Sequence, residues 1–335
     1  VTVVNSDGSR TETVSQTAGT TVINRMVTQS SADGSHKTTT NDLDGNGTID
    51  LTTTSTIARN TDGSTTTTQL DNNTDGSLRD KTVTTLSADG LTKTVSSDLD
   101  GNGSIDLSTS DVTVANSDGS RTETVSSFSG NGTLLGKTVT VKGSDGRSRS
   151  VQADTTGSGV VDHTETVGVA GDGTSTDTVS DTNQDGSLKD KTITTTSADG
   201  LIFTRQVDAT GDGVFDLTNK SVTTKNADGS STIDVTDRNA DGSLRDEKIT
   251  TTSANGLVAT TQTDSTGNGT FDSKVSATTV VNGDGSTTTT TITTSASGTV
   301  LSRSVNTVSA DKRTISTTQD LNGDGATDRT ETIAT

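Results

Sequence analysis

Apolar residues in this chain come singly or in pairs, set into short runs of Thr, Val and Ser that stop at glycine turns. In LIFTRQVD (201–208), Leu201, Phe203 and Val207 alternate onto one side, while Ile202 shares the other with Thr204, Gln206 and Asp208. KTVTTLS (81–87), KTITTTS (191–197) and STIDVTD (231–237) follow the same period of two. Branching at Cβ stiffens Thr and Val in a way that suits strands. No apolar stripe recurs at the 3.6-residue spacing of a helix. The pattern predicts an all-β protein.

Turns set the strand count. Asp-Gly pairs recur at Asp7, Asp62, Asp118, Asp172, Asp228 and Asp284, at spacings of 54 to 56 residues. A second series runs through Asp33, Asp89, Asp145, Asp199 and Asn255, and closes imperfectly at Asp311-Lys312. Asp-Gly and Asn-Gly between β-rich runs favour hairpins, because both positions tolerate positive φ. A period near 55 residues marks tandem repeats. The repeats span residues 1–56, 57–112, 113–167, 168–222, 223–278 and 279–335, with about four short strands in each.

With one or two apolar residues per strand face, the preferred architecture is an elongated β-solenoid or stacked β-fibre, in which each unit touches only its neighbours. Six units of four strands also match a six-bladed β-propeller in number. A propeller must fill the space between blades with bulky side chains. Four Phe with no Trp or Tyr supply little for that purpose.

Composition sharpens the question of stability. Val (30), Leu (17), Ile (11) and Phe (4) total 62 of 335 residues, and the net charge is −19. Chains this poor in large apolar residues and this charged usually fail to offset the entropy of ordering. There is no Cys to supply disulfides or thiolate metal sites. No apolar run nears the length of a membrane helix. The acidity disfavours nucleic acid and anionic membranes and favours cations. The start VTVVNSDGSR, without Met or a signal-peptide pattern, is expected of an excerpt or a processed product.

An acidic loop recurs once per repeat and carries the candidate chemistry. In DLDGNGTID (42–50), oxygen-bearing side chains fall at loop positions 1, 3, 5 and 9, as Asp42, Asp44, Asn46 and Asp50, with Gly47 at position 6 and the Thr48 carbonyl at 7. This matches nine positions of an EF-hand-type calcium loop, whose alternate residues present hard oxygens to one ion. Asp98, Asp100, Asn102, Ser104 and Asp106 repeat it fully, and Asp320, Asn322, Asp324 and Asp328 closely. Thr replaces the position-3 ligand in the copies built on Asp208, Asp212 and Asp216 and on Asp264, Asn268 and Asp272. The copy at Asp154, Thr156, Ser158 and Asp162 is the poorest in ligands. Position 8 is mostly apolar (Ile49, Ile105, Val161, Phe215, Phe271), and is expected to pin the loop to the thin core. Only Glu165 and Glu331 stand where an EF-hand has its bidentate Glu.

A second acidic series has the form D-x-N-x-D-G-S-L-x-D. Its candidate ligands are Asp71, Asn73, Asp75 and Asp80, then Asp181, Asn183, Asp185 and Asp190, then Asp237, Asn239, Asp241 and Asp246. The plain SADG and NSDG turns are read as Asx turns without a metal.

The loops and the repeat together resemble the tandem-repeat regions of very large secreted bacterial proteins of the RTX and repeat-adhesin kind. The loop alone also resembles those of dockerins and FG-GAP repeats. The resemblance implies several bound Ca²⁺ ions and an array that folds after export into calcium-rich medium. The expected function is therefore a calcium-stabilised structural segment of an extracellular adhesin, surface fibre or matrix protein, with a cell-surface or matrix ligand or self-association into fibres as its partners. The alternative is a binding module that recognises a glycan or protein through a repeat face. Thr-rich runs such as 287–291 raise an ice-binding reading, which needs stricter spacing. No enzyme is expected: His36 and His163 stand alone in Thr/Ser-rich stretches, and no nucleophile elbow, Walker loop or Rossmann glycine pattern occurs.

Overall fold

The computed structural model describes residues 1–334, and every regular element among them is a β-strand. The acidic loops divide the strands into groups of four, each later group opening five or six residues before the corresponding repeat boundary. The first group supplies β1 (Thr2–Val4), β2 (Arg10–Ala18), β3 (Thr21–Ser30) and β4 (His36–Asp42). The second supplies β5 (Leu51–Arg59), β6 (Thr65–Asn73), β7 (Leu78–Leu86) and β8 (Thr92–Asp98). In the third lie β9 (Leu107–Ala115), β10 (Arg121–Ser129), β11 (Leu134–Lys142) and β12 (Arg149–Asp154). β13 (His163–Val169) opens the fourth, with β14 (Ser175–Thr182), β15 (Leu188–Thr196) and β16 (Ile202–Asp208). The fifth holds β17 (Leu217–Lys225), β18 (Ser231–Asn239), β19 (Leu244–Thr252) and β20 (Val258–Asp264). The sixth holds β21 (Ser273–Val281), β22 (Thr287–Ser295), β23 (Val300–Val308) and β24 (Thr314–Asp320), and β25 (Arg329–Ala334) follows.

Two compact units divide the chain, Val1–Glu165 and Thr166–Thr335. In the first, β1 through β12 form an antiparallel meander in which each strand pairs with the next in sequence. In the second, β14 through β25 do the same. Among the described residues, the contacts between strands run between sequence neighbours, as expected of stacked repeats. No pair among the described residues closes either ladder on itself.

The ladder continues across every acidic loop for which pairing is described: β4 pairs with β5, β8 with β9, β16 with β17 and β20 with β21. Separate four-stranded blades would break there, so the propeller alternative does not hold within either unit.

Almost nothing apolar is buried. Among the described residues Ala153 is the one buried hydrophobic residue, while Asp42, Asp98, Asp154, Asp208, Asp264 and Asp320 are all buried. The accessible surface is 19585 Å² for 34.0 kDa. Two globular halves of that total mass would expose roughly 15,400 Å². The excess means that both sheet faces are wet. Stability therefore falls to the backbone ladder, to cross-strand pairs such as Thr28–Thr39 and Thr250–Thr261 (hydroxyl oxygens 3.2 and 3.0 Å apart), and to the loops.

The loops alternate along the two strand ends. At one end, N-x-D-G-S turns such as 60–64 close by a backbone bond from Asn60 N–H to Ser64 C=O (2.8 Å). The Asp62 carboxylate there accepts from the Ser64 N–H (2.9 Å) and hydroxyl (2.7 Å). That self-capping is what an Asx turn provides. At the other end lie the acidic loops.

Candidate metal loops

Each acidic loop is built around its first aspartate. The Asp42 carboxylate accepts from the N–H groups of Gly45 (2.7 Å) and Gly47 (2.9 Å), one on each oxygen. Asp98 holds Gly101 and Gly103 in the same way, Asp208 holds Gly211 and Gly213, Asp264 holds Gly267 and Gly269, and Asp320 holds Gly323 and Gly325. The loop's last aspartate reaches back to its second residue. Asp50 accepts from Leu43 N–H and Asp106 from Leu99 N–H, both at 2.7 Å. Converging N–H groups on a curled backbone form an anion-holding nest. A buried carboxylate here satisfies the backbone that the tight curl strips of ladder partners.

Electrostatics follow from that geometry. Burial by itself pushes the Asp208 carboxyl up, but the N–H groups of Gly213, Gly211, Thr210 and Asp212 together outweigh it and hold the group below the ordinary carboxylate range. The same balance, with Gly269, Thr266 and Gly267 as donors, lowers Asp264, and Gly325, Gly323 and Asn322 do so for Asp320.

The pinning expected of position 8 does not extend to every copy: Phe215 and Phe271 are half-buried, but Ile49, Ile105 and Val161 are 38%, 40% and 42% exposed. The loop is anchored instead by the buried aspartate at position 1 and by the glycine at position 4. A Cβ on Gly45 would lie 2.1 Å from the Val22 carbonyl oxygen, and one on Gly101 would lie 2.2 Å from that of Leu78. The acidic loop thus packs backbone to backbone on the hairpin beside it.

Three carboxylates converge in two of the six loops. Asp42, Asp44 and Asp50 each bring an oxygen within 4.8 Å of the others, as do Asp98, Asp100 and Asp106. In both, one carboxylate is buried, one half-buried and one exposed. Asn46 and Asn102 close the loops locally, donating their amides to Asp44 and Asp100 at 2.9 Å. Their side-chain oxygens accept from Thr48 and Ser104 N–H. Such a set of hard oxygens, with net charge −3, suits a divalent cation of the calcium type. In the third loop, Asp154 accepts from the N–H groups of Ser158 and Gly159, and Asp162 accepts from Thr155 N–H. Asp212 and Asp324 turn onto Val214 and Ala326 N–H instead. In the loop at 264–272, Asp272 Oδ2 accepts from the Ser265 N–H and hydroxyl, and Asn268 Oδ1 from Thr270 N–H. Asp216 and Asp328 likewise accept from Ala209 and Leu321 N–H. Neither Glu at position 12 reaches its loop's acids: Glu165 pairs with Arg149 and Glu331 with Arg329.

The second acidic series is placed differently. Asn73 donates to the Ser77 hydroxyl (3.0 Å) and Asp75 accepts from Ser77 N–H (2.9 Å), so the segment folds as another N-x-D-G-S turn. Asn183 and Asp185 make the same bonds to Ser187, and Asn239 and Asp241 to Ser243. Asp71 and Asp80 face each other across β6 and β7, as do Asp181 and Asp190, and Asp237 and Asp246. Burial first, then the opposing Asp71, push the Asp80 carboxyl above its usual range, with Arg79 opposing. Burial and Asp237 do the same to Asp246.

A raised carboxyl binds protons more readily folded than unfolded, so it costs stability at neutral pH and relieves that cost as pH falls. Asp80→Asn is expected to raise the melting temperature by about 1–4 °C at pH 7 in chelator, from the usual cost of opposed like charges. If the variant melts lower in chelator, the opposed pair is not under strain. A gain in chelator that reverses in calcium would mark Asp80 as a ligand.

Away from these loops, a groove of about 410 Å³ lies between two turns and is lined by Asp62, Ser64, Thr85, Ser87, Asp89 and Thr94, among others. It offers hydroxyls and carboxylates but no aromatic face.

No family model matches the chain, and no curated protein matches it. Among solved structures it is similar to a Photorhabdus luminescens Tc holotoxin pore (12% identity, TM-score 0.13, 95% of this chain and 21% of that one). A TcdB2–TccC3 crystal structure matches at 11% identity and TM-score 0.12, over 97% of this chain and 28% of the other. The chain spans less than a third of the length of those proteins, and a likeness this slight carries no argument about fold or function.

Proposed function

We infer that this chain is a structural repeat segment of an extracellular adhesin, surface fibre or matrix protein, stiffened by calcium at its acidic loops. The observation that carries the reading is the convergence of Asp42, Asp44 and Asp50, repeated at Asp98, Asp100 and Asp106. Two further features support it. Both sheet faces are wet, so apolar burial leaves room for another source of stability. Each acidic loop also sits against the neighbouring hairpin through its position-4 glycine. An ion held there would tie two hairpins together, and its binding free energy would add to folding stability by mass action.

Calcium titration by calorimetry, with melts in calcium and in excess chelator, tests this. Calcium is expected to raise the melting temperature. The double variant Asp44→Asn/Asp100→Asn is expected to lose the two tightest ions and to leave the melt in chelator unchanged, since both side chains are exposed and bond only within their loops. A melt indifferent to chelator would sink the calcium reading.

A further inference from the structure

Asn-Gly pairs stand at Asn46, Asn102, Asn131, Asn255, Asn268, Asn282 and Asn322. Asparagine is thermally labile. A following glycine, with no Cβ, gives its backbone nitrogen the freest approach to the Asn Cγ. That attack needs a glycine N–H free of other bonds and an amide able to turn toward it.

In all of these pairs but one the fold ties up both groups. Gly47, Gly103 and Gly269 donate to the buried Asp42, Asp98 and Asp264, and Gly323 donates to Asp320. Gly132 and Gly256 close their turns by donating to the Ser129 and Ser253 carbonyls (2.8 and 2.9 Å). The side chains are held as well. Each Asn Oδ1 in these pairs accepts from the backbone N–H two residues on.

Asn282 is placed differently. It stands first in the turn between β21 and β22, so Gly285 rather than Gly283 closes the turn, donating to the Asn282 carbonyl (3.0 Å). Gly283 is exposed, and among the described residues nothing accepts from its N–H. The Asn282 side chain is held by its nitrogen alone, which donates to the hydroxyls of Ser286 (2.9 Å) and Thr288 (3.0 Å). Other repeats carry Asn5-Ser6, Asn60-Thr61, Asn116-Ser117 and Asn226-Ala227 at this place. The sixth alone follows the turn's asparagine with glycine.

We propose that Asn282-Gly283 is a site of spontaneous modification, deamidation through a succinimide, and that the fold protects the other Asn-Gly pairs. The Gly283 nitrogen loses its proton and bonds to Asn282 Cγ, and the side-chain nitrogen leaves as ammonia. Water then opens the cyclic imide at either carbonyl, giving aspartate at one and isoaspartate at the other. Either product sets a second carboxylate in a turn that already holds Asp284, and ends both donations to the hydroxyls. Isoaspartate also adds a methylene to the backbone of a turn closed by the Asn282 N–H on the Ser286 carbonyl (2.8 Å), so the turn loosens with age.

Peptide mapping by mass spectrometry follows the amide-to-acid mass gain in the full folded chain, kept in mildly alkaline buffer, and in the same chain unfolded in urea. In the folded chain Asn282 is expected to convert at least about five-fold faster than Asn131 and Asn255, a factor that one hydrogen bond can impose. In urea the rates should converge. Asn131 and Asn255 lie outside the acidic loops, so the comparison holds whether or not those loops bind an ion. Gly283→Ser, the residue found at Ser6 and Ser117, should remove the fast site and leave the melt unchanged, since a Cβ there meets nothing within 4 Å. Conversion of Asn282 no faster than that of Asn131 and Asn255 in the folded chain would overturn the proposal. So would a lead for Asn282 that persists undiminished in urea, because sequence rather than fold would then set it.

Discussion

Gly267→Ala is expected to unfold its loop and the strands around it, at a cost of about 2–5 kcal/mol. A Cβ there would lie 2.2 Å from the Leu244 carbonyl oxygen and 2.8 Å from that of Arg245. Those are backbone atoms at the start of β19, so relief requires moving a paired strand, which is overpacking of the costly kind. The backbone at φ +67° adds the left-handed penalty for any residue with a Cβ. Gly269 is the internal control. Its φ is +80° but nothing lies within 4 Å of its Cβ position, so Gly269→Ala should cost only the backbone term, about 1–2 kcal/mol. Urea denaturation read by circular dichroism, with hydrogen exchange to locate the damage, separates the two. Equal losses would mean that close docking on β19 plays no part in holding the loop.

Replacing the buried aspartate should cost at least as much. Asp264→Ala removes the shared acceptor for the Gly267, Gly269 and Thr266 N–H groups at once and empties a fully buried position, so the loop loses the group that holds its curl. A fall in melting temperature of about 5 °C or more is expected for the unit that contains it. Asp264→Asn keeps an acceptor oxygen and should recover part of the loss. Acid tests the same feature across the chain. Asp154, Asp208, Asp264 and Asp320 titrate below their ordinary range, as does Asp33, which the Ser31 hydroxyl and then the Ser35 N–H and hydroxyl hold down to about 2. A depressed folded-state pKa contributes stability above the unfolded value that is lost as pH falls through the folded one. The β signal should therefore hold down to about pH 4 and fail between there and about pH 2. Equal melting temperatures at pH 6 and pH 2.5 would show that the nests carry little of the stability.

Much of this architecture is legible in the sequence, because its cues are local. Branched Thr and Val alternating between Asp-Gly turns leave few options besides hairpins, and the 54- to 56-residue period places them. What the sequence hides is which side chain in the acidic loop faces inward. Hydropathy points to Ile49 or Ile105, whereas the structure buries Asp42 and Asp98, since a curled loop with no core beneath it gains more from an acceptor for its N–H groups than from an apolar contact. The second acidic series was open to a finer reading. Asn73-Thr-Asp75-Gly-Ser77 has the same lettering as the plain turn Asn60-Thr-Asp62-Gly-Ser64, and the two fold alike. The docking glycine at position 4 left no signal of its own, because its partner carbonyl lies on a different hairpin.

The wetness of both sheet faces has a thermal consequence. The heat-capacity change of unfolding comes mainly from newly hydrated apolar surface, with exposed polar surface working against it. A chain in which Ala153 is the only well-buried hydrophobic residue among those described has little such surface left to hydrate. Its free energy of unfolding then follows a shallow arc against temperature, so cold weakens this fold far less than it weakens proteins held together by oil.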